Sequence, residues 1–234
     1  MKFETDLIKG KLIKRYKRFL SDVTLENGEV VTAHCANSGS MLSVKDEGAT
    51  VWLSPSNNPK RKLKYTWEII EVDGYCVGIN TGHPNKIVEE AILAGQIPEL
   101  AGYANLRREV KYGQNSRIDV LLEDDDKPKC YVEVKNVTLK RGDNADFPDA
   151  VTARGAKHLR ELGDMVEQGH RSVMFYLVQR ADCKGMDIAR DIDPEYDTQL
   201  KEALKRGVEV ICYQCDVSPH EITITTPVPI AFLQ

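Results

Sequence analysis

The chain has 234 residues, 41% hydrophobic and 29% charged, which allows one large domain or two modest ones around a real core. No run approaches the roughly 20 apolar residues that a membrane-spanning helix needs, so a bilayer partner is excluded from the reading. A formal charge of −4 does not advertise a nucleic-acid binder, but it excludes none, because binding follows where cations cluster.

The N-terminus, MKFETDLIKGKLIK, has no continuous apolar segment, so no secretion signal is expected and the protein reads as cytoplasmic. Six cysteines without such a signal fit reduced thiols better than a disulfide framework. Apolar and β-branched runs recur at 7–13, 19–25, 30–33, 50–53, 67–72 and 75–79. Turn signals lie between them, including Glu26-Asn27-Gly28 and Val72-Asp73-Gly74. Short strands at this density predict a small barrel or sandwich over residues 1–80, with no helix of useful length.

Two stretches of this region interleave cations with aromatics: Lys14-Arg15-Tyr16-Lys17-Arg18-Phe19 and Lys60-Arg61-Lys62-Leu63-Lys64-Tyr65-Thr66-Trp67. In an OB-like barrel, aromatics stack on bases and cations follow the phosphates. Solvated β edges guarded by lysine would look the same. The expected contacts to nucleic acid are Lys14, Arg15, Tyr16, Lys17, Arg18, Lys60, Arg61, Lys62 and Lys64.

Near His83-Pro84-Asn85 the pattern changes, and a second domain is expected over residues 81–234. Ile87, Val88, Ala91 and Ile92 fall at helical spacing, with Gly95 as terminator. Residues 116–122 and 129–134 read as a strand pair around an acidic loop at 123–127. A helix is predicted over 150–168, a buried strand over 172–178, a helix over 195–206 and a strand over 208–213. Cys212 and Cys215 form one CxxC pair, with Cys183 and His220 as conceivable zinc partners. Strand alternation would point the two cysteines to opposite faces, which argues against chelation.

The chemistry concentrates in Arg117-Ile118-Asp119-Val120-Leu121-Leu122 and Tyr131-Val132-Glu133-Val134-Lys135. Alternation puts Tyr131, Glu133 and Lys135 on one face and Val132 and Val134 on the other. A hairpin would bring Asp119 beside Glu133, with Lys135 adjacent and Glu109 available as a third carboxylate. Two carboxylates supply hard oxygen ligands for Mg²⁺ or Mn²⁺. Such a metal polarises a phosphoryl oxygen and lowers the pKa of a bound water, while a lysine orients that water or offsets developing charge. An exposed cluster of charges on a sheet edge has the same spacing.

Asp…Glu-x-Lys across two strands resembles the core of the PD-(D/E)xK nuclease superfamily. Wider blocks are more specific: Asn115-Ser116-Arg117-Ile118-Asp119, Tyr131 to Leu139, residues 147–162 (FPDAVTARGAKHLREL) and residues 15–20 (RYKRFL). Asn37-Ser38-Gly39-Ser40-Met41 and residues 62–68 (KLKYTWE) belong with them. Together they resemble the sugar fermentation stimulation protein A family. The resemblance implies an N-terminal OB-like β-barrel followed by a PD-(D/E)xK nuclease-like mixed-sheet domain, with DNA binding as the attributed activity. It carries the nuclease motif onto Asp119, Glu133 and Lys135, with Glu109 upstream and Arg154 and His158 on the following helix. Ile118 stands where the motif's proline would be.

The expectation is therefore DNA binding, in preference to RNA, with phosphodiester hydrolysis. Asp119 and Glu133 would hold Mg²⁺ or Mn²⁺, Lys135 would position water, and Glu109 would add a ligand or base. Arg154 and His158 would contact phosphate or support the site. A regulator of sugar-metabolism genes with a vestigial site is the rival, although no helix-turn-helix is legible. An RNA-directed nuclease is the other.

Overall fold

A computed structural model describes residues 1–233. Six strands come first: β1 (Ile8–Tyr16), β2 (Leu20–Leu25), β3 (Val30–Cys35), β4 (Thr50–Pro55), β5 (Tyr65–Val72) and β6 (Tyr75–Gly78). They pair in the order β3-β2-β1-β4-β5-β6, and a parallel β3–β5 pairing closes the first five into a barrel. Closure removes the free edges that an open sheet would expose. Alternation fills the inside: Val23 and Leu25 from β2 and Val31, Ala33 and Cys35 from β3 meet Leu53, Trp67 and Ile70 in one cluster. A register shift between Leu12 and Lys14 resets the alternation of β1. Beyond it, Lys14 and Tyr16 pair with Asp22 and Leu20 on the outer surface, and Arg15 turns inward beside Ser21.

The second part contains α1 (Pro84–Leu93), β7 (Asn105–Tyr112), β8 (Ser116–Asp124), β9 (Lys127–Val137), β10 (Leu139–Arg141), β11 (Asn144–Phe147) and α2 (Ala153–Glu167). After these come β12 (Arg171–Val178), β13 (Gly185–Ile188), α3 (Pro194–Lys205), β14 (Glu209–Val217) and β15 (Ile222–Pro227). A mixed sheet runs β15-β14-β12-β9-β8-β7, and β10, β11 and β13 form a small separate sheet. The parallel pairs are β9–β12 and β12–β14, so the sheet centre is buried on both faces. One face carries Val120, Val132, Val134 and Phe175 against α1, and the same cluster takes in Trp52 and Ile69 from the barrel. The other face packs Leu121, Met174 and Tyr176 against Leu159 and Leu162 of α2 and Leu200 of α3. Barrel and sheet thus share one apolar contact. The N-terminus adds to it: the Met1 ammonium donates to the Ile222 carbonyl at 2.7 Å.

Thr152 caps α2 by accepting from the Gly155 N–H at 3.0 Å, and Asp193 caps α3 by accepting from the Tyr196 N–H at 3.0 Å. These caps start α2 three residues later than expected, at Ala153 instead of 150, and α3 one residue earlier, at Pro194 instead of 195. The acidic loop expected at 123–127 is shorter, because Asp124 pairs with Lys127 across a tight turn. Strands β7, β11, β13 and β15 carry too many polar residues to be legible as apolar runs, and sheet pairing makes them. Cys212 packs in the α2–α3 cluster and Cys215 in the opposite one, on opposite sides of the sheet as alternation requires. No described helix is long and apolar enough to cross a membrane.

Candidate active site

The β8–β9 ladder ends at the pair Val120–Val132, while β9 stays bonded to β12 as far as Val137. Past that end the strands open, and Asp119 and Glu133 stand on either side of the gap. An N–H on the opened edge of β9 needs another acceptor. The Asp119 carboxylate supplies it, accepting from the Val134 N–H through Oδ2 at 2.8 Å. Its Oδ1 accepts from the Asn85 side-chain amide at 2.8 Å. The same amide reaches Glu109 Oε1 at 3.3 Å. Glu109 lies between the β7–β8 pairs Arg108–Val120 and Val110–Ile118 with a φ of 54°, a left-handed backbone that side chains rarely adopt.

Glu133 is only 2% exposed, which makes its hydrogen bonds decisive. Oε1 takes two donors, Lys135 Nζ at 2.7 Å and the Nδ1 of His158. Oε2 is buried with no partner at all. His158, on the buried side of α2, accepts from Arg154 Nε at 3.2 Å through Nε2. With Nε2 as acceptor from Arg154, Nδ1 is the nitrogen that donates to Glu133.

Burial lifts the Asp119 carboxyl to about 6, helped by the negative charge of Glu133, against the pull of the Val134 N–H, Lys135 and Asn85. Burial also pushes Glu133 up, but Lys135 and His158 outweigh it and hold this carboxyl below its ordinary range. Tyr112, at the end of β7, has a buried hydroxyl without a partner, and burial followed by the charges of Glu133, Glu161 and Asp119 drives its pKa far up. Asp119, Glu133, Lys135, Arg154 and His158 all border one cleft of about 390 Å³. Glu109 meets this group through Asn85 rather than directly. No three of the described His, Cys, Asp and Glu side chains are arranged to enclose an ion by themselves.

The barrel contributes a wall. Asn37, Ser38 and Gly39 border the cleft, and the Arg15 Nη2 donates to the carbonyls of Arg18, Asn37 and Gly39, each at 2.9 Å. Arg18 donates to the Ser38 carbonyl at 3.0 Å. Across the cleft, Asp149 accepts from the Met41 N–H at 2.8 Å, which ties this loop to the segment before α2. Arg15 thus braces the cleft wall through Nη2, with its Nε buried and unpartnered, and so turns inward where an outward basic run was expected. His158, expected to contact phosphate or support the site, is buried behind Glu133 and bonds to it through Nδ1, a supporting position. Arg154 is exposed at the cleft.

The remaining cations sit at two connections of the barrel. Lys17 and Arg18 occupy the β1–β2 turn in left-handed conformation, and Lys14 lies over the Tyr16 ring at 5.4 Å. Lys60, Arg61, Lys62 and Lys64 occupy the β4–β5 connection, where Arg61 donates to Thr66 Oγ1 at 2.6 Å and Lys64 to the Pro59 carbonyl at 3.0 Å. Sequence reasoning missed Asn85 and the 37–39 wall as site residues. For Asn85 a signal existed: Pro84 opens α1, so the next residue falls in its first turn, at the domain junction.

A closed five-stranded OB barrel followed by a mixed-sheet domain with helices and an acidic cleft at an opened hairpin defines the class. Comparison with known families gives the particular member. Residues 13–79 match the SfsA N-terminal OB domain and residues 82–221 the sugar fermentation stimulation protein RE domain. The chain belongs to the sugar fermentation stimulation protein A family. A sugar fermentation stimulation protein homolog of Paramagnetospirillum magneticum is 60% identical over 97% of this chain and 96% of its own length. One from Maricaulis maris is 56% identical over 100% of both. The solved structure of Pyrococcus furiosus SfsA in complex with Ca²⁺ superposes with a TM-score of 0.88 at 25% identity, covering 98% of this chain and 97% of that one.

Proposed function

We propose that the protein binds nucleic acid, DNA in preference to RNA, and hydrolyses phosphodiester bonds with the help of Mg²⁺ or Mn²⁺. One observation carries the reading: Glu133 Oε2 is buried without a hydrogen-bond donor, beside Asp119 in the same cleft. A buried carboxylate oxygen without a donor costs on the order of 1–3 kcal/mol or more. A cation is the partner that removes this cost. The residues fit such an ion: hard oxygen donors, two carboxylates whose mutual repulsion it relieves, and flanking groups that hold both in place. When bound there, the ion polarises the phosphoryl group and makes a water nucleophilic at neutral pH.

The chain's own residues do the rest. Lys135 holds Glu133 by one oxygen and presents positive charge where charge grows on the phosphate oxygens. Asn85 and the Val134 N–H fix both oxygens of Asp119, so its ligand geometry is set before substrate arrives. Glu109 stands at the far side of Asn85 and can accept a proton from water. The barrel's β1–β2 turn and β4–β5 connection are those with which OB barrels hold oligonucleotides, and both carry exposed cations in this chain. Incubation of the pure protein with single- and double-stranded DNA and RNA, with Mg²⁺, Mn²⁺ or EDTA, tests the reading. Metal-dependent cleavage that is absent in Asp119→Asn supports it. Binding without cleavage under every metal leaves a binding protein and removes the hydrolase.

A further inference from the structure

The hydrogen bonds behind Glu133 form a chain with two free ends. At one end, both donors to Glu133 fall on Oε1, from Lys135 Nζ and from His158 Nδ1, and Oε2 is left bare. At the other end is Arg154, whose Nε donates to His158 Nε2 at 3.2 Å. Among the described residues no carboxylate pairs with the Arg154 guanidinium, and its terminal nitrogens donate to no protein acceptor. It is exposed at the cleft, with Glu133 and Asp119 in the same walls. Exposed Arg107 and Arg141 and half-buried Arg206 pair with carboxylates, whereas Arg154 shares its lack of one with exposed Arg117 and Arg160 but, unlike them, borders the cleft.

The imidazole between these ends is constrained from both sides. A proton on Nε2 would face the Arg154 N–H and leave Nδ1 without a proton for Glu133. The arginine therefore favours the tautomer with a proton on Nδ1, and the packing of α2 against β9 brings that proton to Glu133 Oε1. A planar guanidinium can do this with Nε–H and still present two terminal nitrogens to a phosphate in forked geometry.

We infer that His158 is a positioning residue that turns Glu133 Oε2 toward a cation, and that Arg154 grips a phosphate of the bound strand while holding His158 in the required tautomer. The inference rests on the metal-dependent reading of the cleft. It adds a physical connection between substrate phosphate and metal carboxylate, running through one buried ring.

The two residues have separable readouts. Mn²⁺ affinity is measured by calorimetry on protein without nucleic acid. His158→Phe keeps the volume and loses the donor, and lowers Mn²⁺ affinity about 10- to 100-fold, the usual effect of removing the group that orients a metal ligand. His158→Gln restores an N–H donor and recovers most of that loss. Arg154→Ala lowers Mn²⁺ affinity about threefold, less than His158→Phe, since the ring loses the donor that fixes its tautomer but Nδ1–H can still donate. Binding of a labelled single-stranded oligodeoxynucleotide in EDTA gives the opposite order. Arg154→Ala weakens it and lowers the salt slope by about one, whereas His158→Phe leaves it unchanged. Nitrogen NMR of the wild-type imidazole shows the proton on Nδ1.

A folded His158→Phe protein that binds Mn²⁺ like wild type overturns the inference. So does an Arg154→Ala protein with an unchanged salt slope, or an imidazole protonated on Nε2 alone. Cleavage by wild type with either of these results leaves the nuclease reading standing and removes only the relay. The expected pattern in a protein that cleaves nothing removes the hydrolase and leaves the relay in place.

Discussion

The barrel's first basic run and the second domain's carboxylate pair look alike in sequence: charged residues at short spacing on predicted strands. Folding treats them in opposite ways. Arg15 points inward and its Nη2 is saturated by three backbone carbonyls. Glu133 is buried more deeply, yet one of its oxygens is bonded twice and the other not at all. Each keeps one buried polar atom without a partner, Arg15 Nε and Glu133 Oε2, so a missing bond alone does not mark a ligand. Place does: Glu133 lines the cleft with Asp119, whereas Arg15 holds the cleft wall from behind.

The contrast breaks first at the carboxylates, where the largest effect is expected. Glu133→Gln and Asp119→Asn lower the rate of metal-dependent cleavage by about two to three orders of magnitude or more, with oligonucleotide affinity in EDTA nearly unchanged. Single-turnover kinetics beside anisotropy titrations check this. Equal loss of binding and rate would mean that the carboxylates support the fold and not the reaction.

The acid–base behaviour of the two carboxylates should also differ in sign. Asp119 titrates at about 6 in the folded protein, above its unfolded value. The folded state thus holds its proton more tightly, and metal-free stability falls as pH rises from about 4 through 6. The loss is at most roughly 3 kcal/mol. Glu133 is held below its ordinary value, so its contribution is present near neutrality and is lost as acid protonates it. Urea denaturation from pH 4 to 7.5, for wild type and Asp119→Asn, resolves them. The substitution should flatten the fall between pH 4 and 6, and a curve unchanged in shape would mean that Asp119 is not raised.

Arg15→Ala comes next. Removing a donor to three part-buried or exposed carbonyls costs on the order of 1–3 kcal/mol, seen as a lower Tm. Oligonucleotide affinity of the folded protein stays close to wild type. A large drop in affinity with an unchanged Tm would return Arg15 to the binding surface.

The smallest effect belongs to Lys17→Ala and Lys62→Ala, both exposed. Each should leave Tm unchanged and reduce the slope of log affinity against log salt by about one, through one fewer released counterion. Unchanged slopes would take the β1–β2 and β4–β5 connections out of the interface.

Much of this architecture was legible before folding. Turn residues such as Asn27-Gly28 and Asp73-Gly74 do punctuate the barrel, and Gly28 and Gly74 take the left-handed φ that such turns demand. Alternation and a hairpin put Asp119 and Glu133 on neighbouring strands, and both border one cleft just past the end of the β8–β9 ladder. Strand β7 was not legible: NLRREVKY has neither an apolar run nor clean alternation, and it exists because β8 offers it a ladder. For Asn85 only its place in the first turn of α1 was legible, through Pro84; that its amide meets Asp119 and Glu109 needed α1 docked beside β8.

By itself the sequence determined what depends on local period and on chain chemistry: a strand-rich first third, alternation that separates Glu133 from its valine neighbours, helix starts marked by caps and prolines, and the residue types able to hold a hard cation. Tertiary structure alone decided which charges are satisfied. The inward turn of Arg15 follows a register shift in β1, the bare oxygen of Glu133 follows from two donors arriving on the same side, and the link from Arg154 through His158 requires α2 to lie against β9. Periodicity is a property of neighbours along the chain, whereas hydrogen-bond saturation is a property of neighbours in space, and only the packed fold brings those together.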